Sequence, residues 1–152
     1  MKHKVRKGNG FTLIELLVTT VMIAVLTVIG IVSYSSVNKR SRDVKRKSDL
    51  EQIRSALEMC RSDSNACAGA YPGLGSGNAV DAKDLNTFLV PTYIPAVPDD
   101  SNTALPYKYQ AFPAGGPYTT YCVFAYLETL TVTQSTCTVG PPSGYNYGLK
   151  SP

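Results

Sequence analysis

The polarity of the chain changes character twice along its length. Residues 11–32 form an apolar run of 22 positions in which Glu15 is the only charge, and from Leu16 onward the run is rich in Leu, Val and Ile. Beyond a basic stretch a different pattern appears. Leu50, Ile53, Leu57 and Cys60 recur at intervals of three, four and three, which lines one face of a helix, while Asp49, Glu51, Arg54, Glu58 and Arg61 fall mostly off that face. The two patterns predict a single helix over about 11–62 with an all-apolar first half and an amphipathic second half.

After Asp63 the texture turns to Gly, Ser, Ala and Asn, and YPGLGSGN at 71–78 reads as loop. Asp81 is placed to cap a short helix whose Leu85, Phe88 and Leu89 face inward and which Pro91 ends. The prolines of LVPTYIPAVPDDSNTALPYKYQ, residues 89–110, exclude a long helix there. Residues 107–112 and 118–128, rich in Tyr, Val, Thr and Phe, predict strands separated by a GGP turn at 115–117, with a further piece within 130–149. Short connections favour antiparallel pairing. The expected fold is therefore α+β, a long N-terminal helix whose amphipathic half packs against a small C-terminal antiparallel sheet.

As a helix the apolar run is about 33 Å long, against a bilayer hydrocarbon thickness of about 30 Å. A buried core helix of that length would show a polar face, and here only Thr19, Thr20, Thr27 and Gly30 relieve the apolar surface. A secretory signal peptide has a shorter apolar core and ends at a small-residue cleavage site. This run continues to Val32 and is followed by SYSSVNKRSR, with nothing that resembles a cut. The run is read as a membrane span.

Charge refines the picture. The chain of 152 residues has 15 Lys and Arg against 11 Asp and Glu, and four of the basic residues, Lys2, Lys4, Arg6 and Lys7, precede Gly10. The net +4 is thus a property of the N-terminal segment, and the remainder balances. Just past the span, NKRSRDVKRK at 38–47 sets Lys39, Arg40, Arg42, Lys45, Arg46 and Lys47 against Asp43 alone. This cluster is open to three readings: a nucleic-acid patch, a contact with anionic headgroups, or a solvated or subunit-facing helical surface. The absence of interleaved aromatics favours the last and disfavours nucleic acid.

Because basic residues flank the span on both sides, charge bias does not orient it. The cysteines do. Cys60, Cys67, Cys122 and Cys137 form an even set without metal-ligand spacing, all after the span, and suit disulfides in an oxidising compartment. The N-terminus is accordingly expected inside, with the C-terminal part translocated. Four cysteines permit three connectivities; proximity favours Cys60 with Cys67 and Cys122 with Cys137, each short loop worth about 2–4 kcal/mol.

GFTLIELLV at 10–18, preceded by a short basic leader, resembles the N-terminal signature of type IV prepilins and of the related pseudopilins of type II secretion. The resemblance implies that a membrane-embedded prepilin peptidase cuts after Gly10 and methylates the new N-terminal residue, Phe11. It divides the chain into a cleaved leader at 1–10, a transmembrane and assembly half of the helix at 11–32, an amphipathic half at 33–62, and an extracytoplasmic loop and β head domain at 63–152. It also gives Glu15 a purpose. A carboxylate amid lipid is costly, about 2.5–3.5 kcal/mol at a helix centre and less near an end. In a fibre of staggered helices it can meet the Phe11 ammonium of another subunit and fix the register. Many pilus-forming relatives have a proline at the position of Val32. Its absence here leaves Gly30 as the nearest weak point of the helix and favours a pseudopilin or a divergent pilin.

Catalysis is poorly supported. The single histidine, His3, lies in the segment marked for removal, and no GxSxG, HExxH, Walker or CxxC pattern is present. No cofactor is expected, except that DDSNT at 99–103 concentrates oxygen ligands. Major pseudopilins hold Ca²⁺ in a C-terminal loop, which makes Asp99 and Asp100 candidate ligands, although ordinary loop is the simpler reading. The function expected is a structural subunit of a type IV pilus-like or pseudopilus fibre. Its expected partners are other copies of itself, the prepilin peptidase, an inner-membrane assembly platform and bilayer lipid. The alternatives are a minor or initiating pilin, and a membrane-anchored extracytoplasmic binding protein that never polymerises.

Overall fold

The computed structural model describes residues 10–63 and 67–152, so residues 1–9 of the expected leader, His3 among them, lie outside the described residues. The chain divides into two compact units, one ending at Asn38 and the other running from Lys39 to Pro152. Helix α1, Leu13–Ser62, contributes to both.

Within the first unit, the described residues are almost all helix, and the helix has no covering. Of its large apolar side chains from Phe11 to Ile31, even the most covered, Val18, is 43 % exposed, and Phe11 reaches 85 %. Its hydroxyls need no outside partner. Thr19, Thr20 and Thr27 donate back to the carbonyls of Leu16, Leu17 and Ile23 at 3.0, 2.9 and 2.7 Å, which leaves a surface compatible with hydrocarbon on every side. α1 is long and apolar enough to cross a membrane, with a mean hydropathy of 2.6 in its most apolar part.

In the second unit the same helix has one buried stripe. Leu50, Ile53, Leu57 and Cys60 are each fully covered. They pack on Leu85, Leu89, Tyr109, Tyr121 and Val123 in one hydrophobic core. Each such side chain contributes about 1.5–3 kcal/mol on burial. The sheet they meet has five strands, β1 (Val80–Asp81), β2 (Lys108–Phe112), β3 (Thr120–Ala125), β4 (Gln134–Ser135) and β5 (Tyr147–Lys150), in the order β1-β2-β3-β5-β4. A 3₁₀ turn, Ala82–Leu85, runs into a one-turn helix α2, Asn86–Leu89.

Two details correct the expectations. The sheet is mixed: β1, β2, β3 and β5 pair antiparallel, but β4 lies parallel to β5, with Gln134 opposite Tyr147 and Ser135 opposite Gly148. After β3 the chain passes first to the outer edge and only then returns through residues 136–146 to fill the place beside β3. Gly148 makes this approach possible, since a Cβ there would stand 2.5 Å from Ser135 Oγ and 3.0 Å from the Phe124 ring. In the short helical segment, Leu85 and Leu89 are buried but Phe88 is exposed. Asp81 makes no side-chain cap bond and instead pairs with Lys108 across the β1–β2 ladder.

Four buried tyrosines, Tyr71, Tyr107, Tyr109 and Tyr121, supply much of the bulk of the core, and their hydroxyls are matched. Tyr107 donates to Asp49 at 2.8 Å, Tyr109 to the Pro72 carbonyl at 2.8 Å and Tyr121 to Glu58 at 3.2 Å. Tyr71 and Tyr121 meet edge to face with ring centroids 4.6 Å apart, a favoured aromatic geometry. Burial pushes the phenols of Tyr107, Tyr109 and Tyr121 well up, so they act as neutral donors.

The buried stripe does not stop at Leu50. One and two turns earlier the same face carries Arg46 and Asp43, both buried. Arg46 Nε donates to Asp100 Oδ2 at 2.7 Å, and its Nη1 reaches Asp43 and Glu128, each at 3.0 Å. Arg42 grips Glu128 through two bonds of 2.7 and 2.6 Å. Asp43 also accepts from the Glu128 and Thr129 amides at 2.9 and 2.8 Å and from the Thr129 hydroxyl at 2.6 Å. The Arg42 bond, aided by Arg46, holds the Glu128 carboxyl down at about 2. Burial raises that of Asp43, but the bonds from Thr129, the two amides and Arg46 outweigh it and leave it lowered. Replacing Arg46 with Met leaves Asp43 and Asp100 buried without their cation, and a loss of about 3–5 kcal/mol is expected. The exposed Lys45→Met should stay within about 0.5 kcal/mol. Guanidinium melts of the detergent-solubilised chain, followed by tyrosine circular dichroism, compare the two.

Candidate functional site

α1 starts at a residue suited to start it. Thr12 precedes the first helical residue, Leu13, and Glu15 stands three positions after Thr12, the spacing of a capping box. The geometry follows that pattern. Glu15 N–H donates to Thr12 Oγ1 at 3.3 Å, while Thr12 N–H and Thr12 Oγ1 donate to Glu15 Oε2 at 2.9 and 2.7 Å. A carboxylate in the first turn also faces the positive end of the helix dipole. Both bonds go to Oε2, and Oε1 receives none among the described residues. Glu15 therefore has a partner within its own chain and one oxygen to spare. Thr12 was not singled out in the sequence, although TLIE at 12–15 carries the signal.

Phe11 and Gly10 precede this cap, and both are exposed. An added Cβ at Gly10 would meet nothing within 4 Å, so the peptide bond between Gly10 and Phe11 stands clear of the rest of the described chain.

The cysteines pair as Cys60–Cys67 and Cys122–Cys137, with Cα atoms 5.4 and 6.0 Å apart. The first ties the last turn of α1 to the loop that follows it, and the second ties β3 to the segment just after β4. Near the first, Glu58 accepts from Tyr71 Oη at 2.8 Å and Arg61 donates to the same oxygen at 2.9 Å, which fixes the chain where the helix ends.

Asp99 and Asp100 do not converge on a common point. Asp100 is the buried partner of Arg46, and Asp99 is an exposed partner of Lys83 at 3.5 Å. Among the described residues no group of three or more His, Cys, Asp or Glu side chains is placed to hold a metal ion.

The basic cluster is split by the fold. Arg42 and Arg46 turn toward Glu128, Asp100 and Asp43. Lys39, Arg40 and Lys45 are exposed and form no ion pair among the described residues, and Lys47 lies 5.2 Å from the centre of the Tyr147 ring.

The family model for the prokaryotic N-terminal methylation motif matches residues 5–31. The chain carries a prokaryotic N-terminal methylation motif. It is similar to the type IV major fimbrial protein FimA of Dichelobacter nodosus, 33 % identical over 73 residues, covering 48 % of this chain and 47 % of that one. It is also similar to a probable minor fimbrial protein of the same organism, 33 % identical over 64 residues, covering 42 % of this chain and 40 % of that one. The chain spans about half the length of the curated relatives it matches. No solved structure matches it significantly. The methylation motif and the α+β arrangement of a long N-terminal helix with a small mixed sheet agree with a pilin-like fold.

Thr12→Val removes both the acceptor and a donor of the capping box at the start of α1. The cost expected is about 1 kcal/mol, read as about fivefold faster exchange of the Glu15 and Leu16 amides in detergent micelles. Unchanged exchange would remove the capping role.

Proposed function

We propose that the chain is a structural subunit of a type IV pilus-like fibre, stored in the cytoplasmic membrane through residues 11–32 and drawn from it into a helical assembly. The observation that carries this reading is an apolar helix half left uncovered among the described residues and led by one acid. A helix uncovered on all sides is suited first to lipid and then to the same helices of other copies. The methylation motif and the fimbrial names of the relatives agree.

In this account a prepilin peptidase cuts between Gly10 and Phe11 and methylates Phe11, and an inner-membrane platform extracts the processed subunit. While the subunit is stored, the capping box shares the Glu15 charge with Thr12, and the position near the helix end limits the cost. On assembly Oε1, which accepts no hydrogen bond among the described residues, accepts the Phe11 ammonium of a neighbour. Low dielectric makes either charge costly alone, so the pair selects one axial stagger. The two disulfides suit a head domain on the oxidising side of the membrane.

Glu15→Leu separates this reading from that of a monomeric membrane-anchored binding protein. It removes a charge from the span, so insertion, cleavage and the membrane pool should be unchanged. Assembly should fail, because the Phe11 ammonium then enters the fibre core unpaired, at roughly 3–5 kcal/mol per subunit. Membrane and sheared extracellular pools of wild type and variant are compared by immunoblot. Equal sheared pools would defeat the role given to Glu15.

A further inference from the structure

The outermost strand of the sheet has little to hold it in place. β4 is two residues long with both side chains exposed, and every residue from Thr131 to Thr136 lies at the surface. Among the described residues none from 128 to 146 belongs to the hydrophobic core. Within the sheet β4 has one neighbour, β5. Gln134 N–H donates to the Asn146 carbonyl at 2.8 Å and Thr136 N–H to that of Gly148 at 3.0 Å, while Thr136 Oγ1 accepts from Lys150 N–H at 2.9 Å. Hydrogen bonds at the surface with no buried apolar contact behind them belong to the parts of a fold that open first.

The two ends of this segment are anchored differently. At its start Asp43 holds Thr129 through the amide and the hydroxyl, and Asn146 Nδ2 donates to the carbonyls of Leu127 and Leu130 at 2.8 and 3.2 Å. At its end the anchor is covalent, since Cys137 is bonded to Cys122, a buried residue of β3. β5 lies between β3 and β4, with Lys150 opposite Cys122, so the two outer strands and the bond that joins them bracket the C-terminal strand. We propose that residues 131–137 form a redox-sensitive strap, with the Cys122–Cys137 bond as its latch and Leu130 as its hinge, and that breaking the latch lifts β4 off the outer edge of β5. In that step the S–S bond takes two electrons and two protons from a dithiol, which itself becomes a disulfide, and two thiols are left. The strap keeps its anchors at Thr129 and Leu130, and β5 keeps its four residue pairs with β3. What opens is an unpaired strand edge, a surface that recruits further strands. The latch holds that edge shut wherever the compartment is oxidising.

The test is amide hydrogen exchange of the full chain in detergent micelles, read residue by residue by NMR. In the variant Cys122→Ser, Cys137→Ser the amides of Gln134, Thr136 and Lys150 should exchange about 100-fold faster than in the wild type. Those of Tyr109 and Val123, inside the sheet, should stay within about threefold of it. The variant Cys60→Ser, Cys67→Ser, which cuts the other disulfide, should not separate the two groups of amides. Where the first variant fails to fold, wild type reduced by dithiothreitol without denaturant and capped by alkylation provides the same comparison. Strap amides that keep their wild-type rates, or that speed up only in step with Tyr109 and Val123, overturn the latch, because the bond then holds either nothing or the whole head. Separation of the two groups in Cys60→Ser, Cys67→Ser overturns it as well, because the strap would then answer to a different bond.

Discussion

The apolar half of α1 has no covering among the described residues, and that constraint decides where this half of the molecule can reside. Large Leu, Ile and Val side chains stay exposed over five turns, an arrangement that water penalises at about 25 cal/mol for each Å² of apolar surface. The penalty vanishes in two settings, a bilayer and a bundle of like helices. The sequence is compatible with both. Its threonines satisfy themselves on the backbone, and its one acid is held by the helix start. A carboxylate held this way is tolerable in a monomer and still has an oxygen for an ammonium.

The head domain solves a separate problem, which is to build a core from one amphipathic stripe and a small sheet. It uses tyrosines with matched hydroxyls, two disulfides, and an ion cluster under Arg46. The cluster has a second consequence, since it pairs the exposed Arg42 and the buried Arg46 with acids and leaves Lys39, Arg40 and Lys45 without an ion pair among the described residues. Packing of the head and the charge presented around α1 are linked by the same few side chains.

Periodicity made α1 legible almost to the residue, because both its regimes, uniform apolarity and the 50-53-57-60 stripe, are strong signals. The Asp43 and Arg46 stations belong to the same stripe, 43-46-50-53-57-60, but charged residues at core positions read as solvated surface until their partners are known. Those partners, Asp100 and Glu128, come from loops distant in sequence, and no local pattern announces them. The parallel placement of β4 was hidden for a similar reason: a two-residue strand carries no alternation to read, and only Gly148 beside Ser135 marks it. At the candidate site Gly10, Phe11 and Glu15 were visible through the family signature. Thr12 was visible through capping chemistry, which the more conspicuous acid overshadowed.

In the proposed fibre the uncovered helix is completed by other copies of the chain once the N-terminus has been freed at Phe11. The most direct measurement is the intact mass of this chain in extracellular fibres sheared from the producing cells. The chain should be present in those fibres with a mass that begins at Phe11 and includes one added methyl group. A chain that is abundant in the membrane and missing from the fibres, or one that reaches them still carrying residues 1–10, would contradict it.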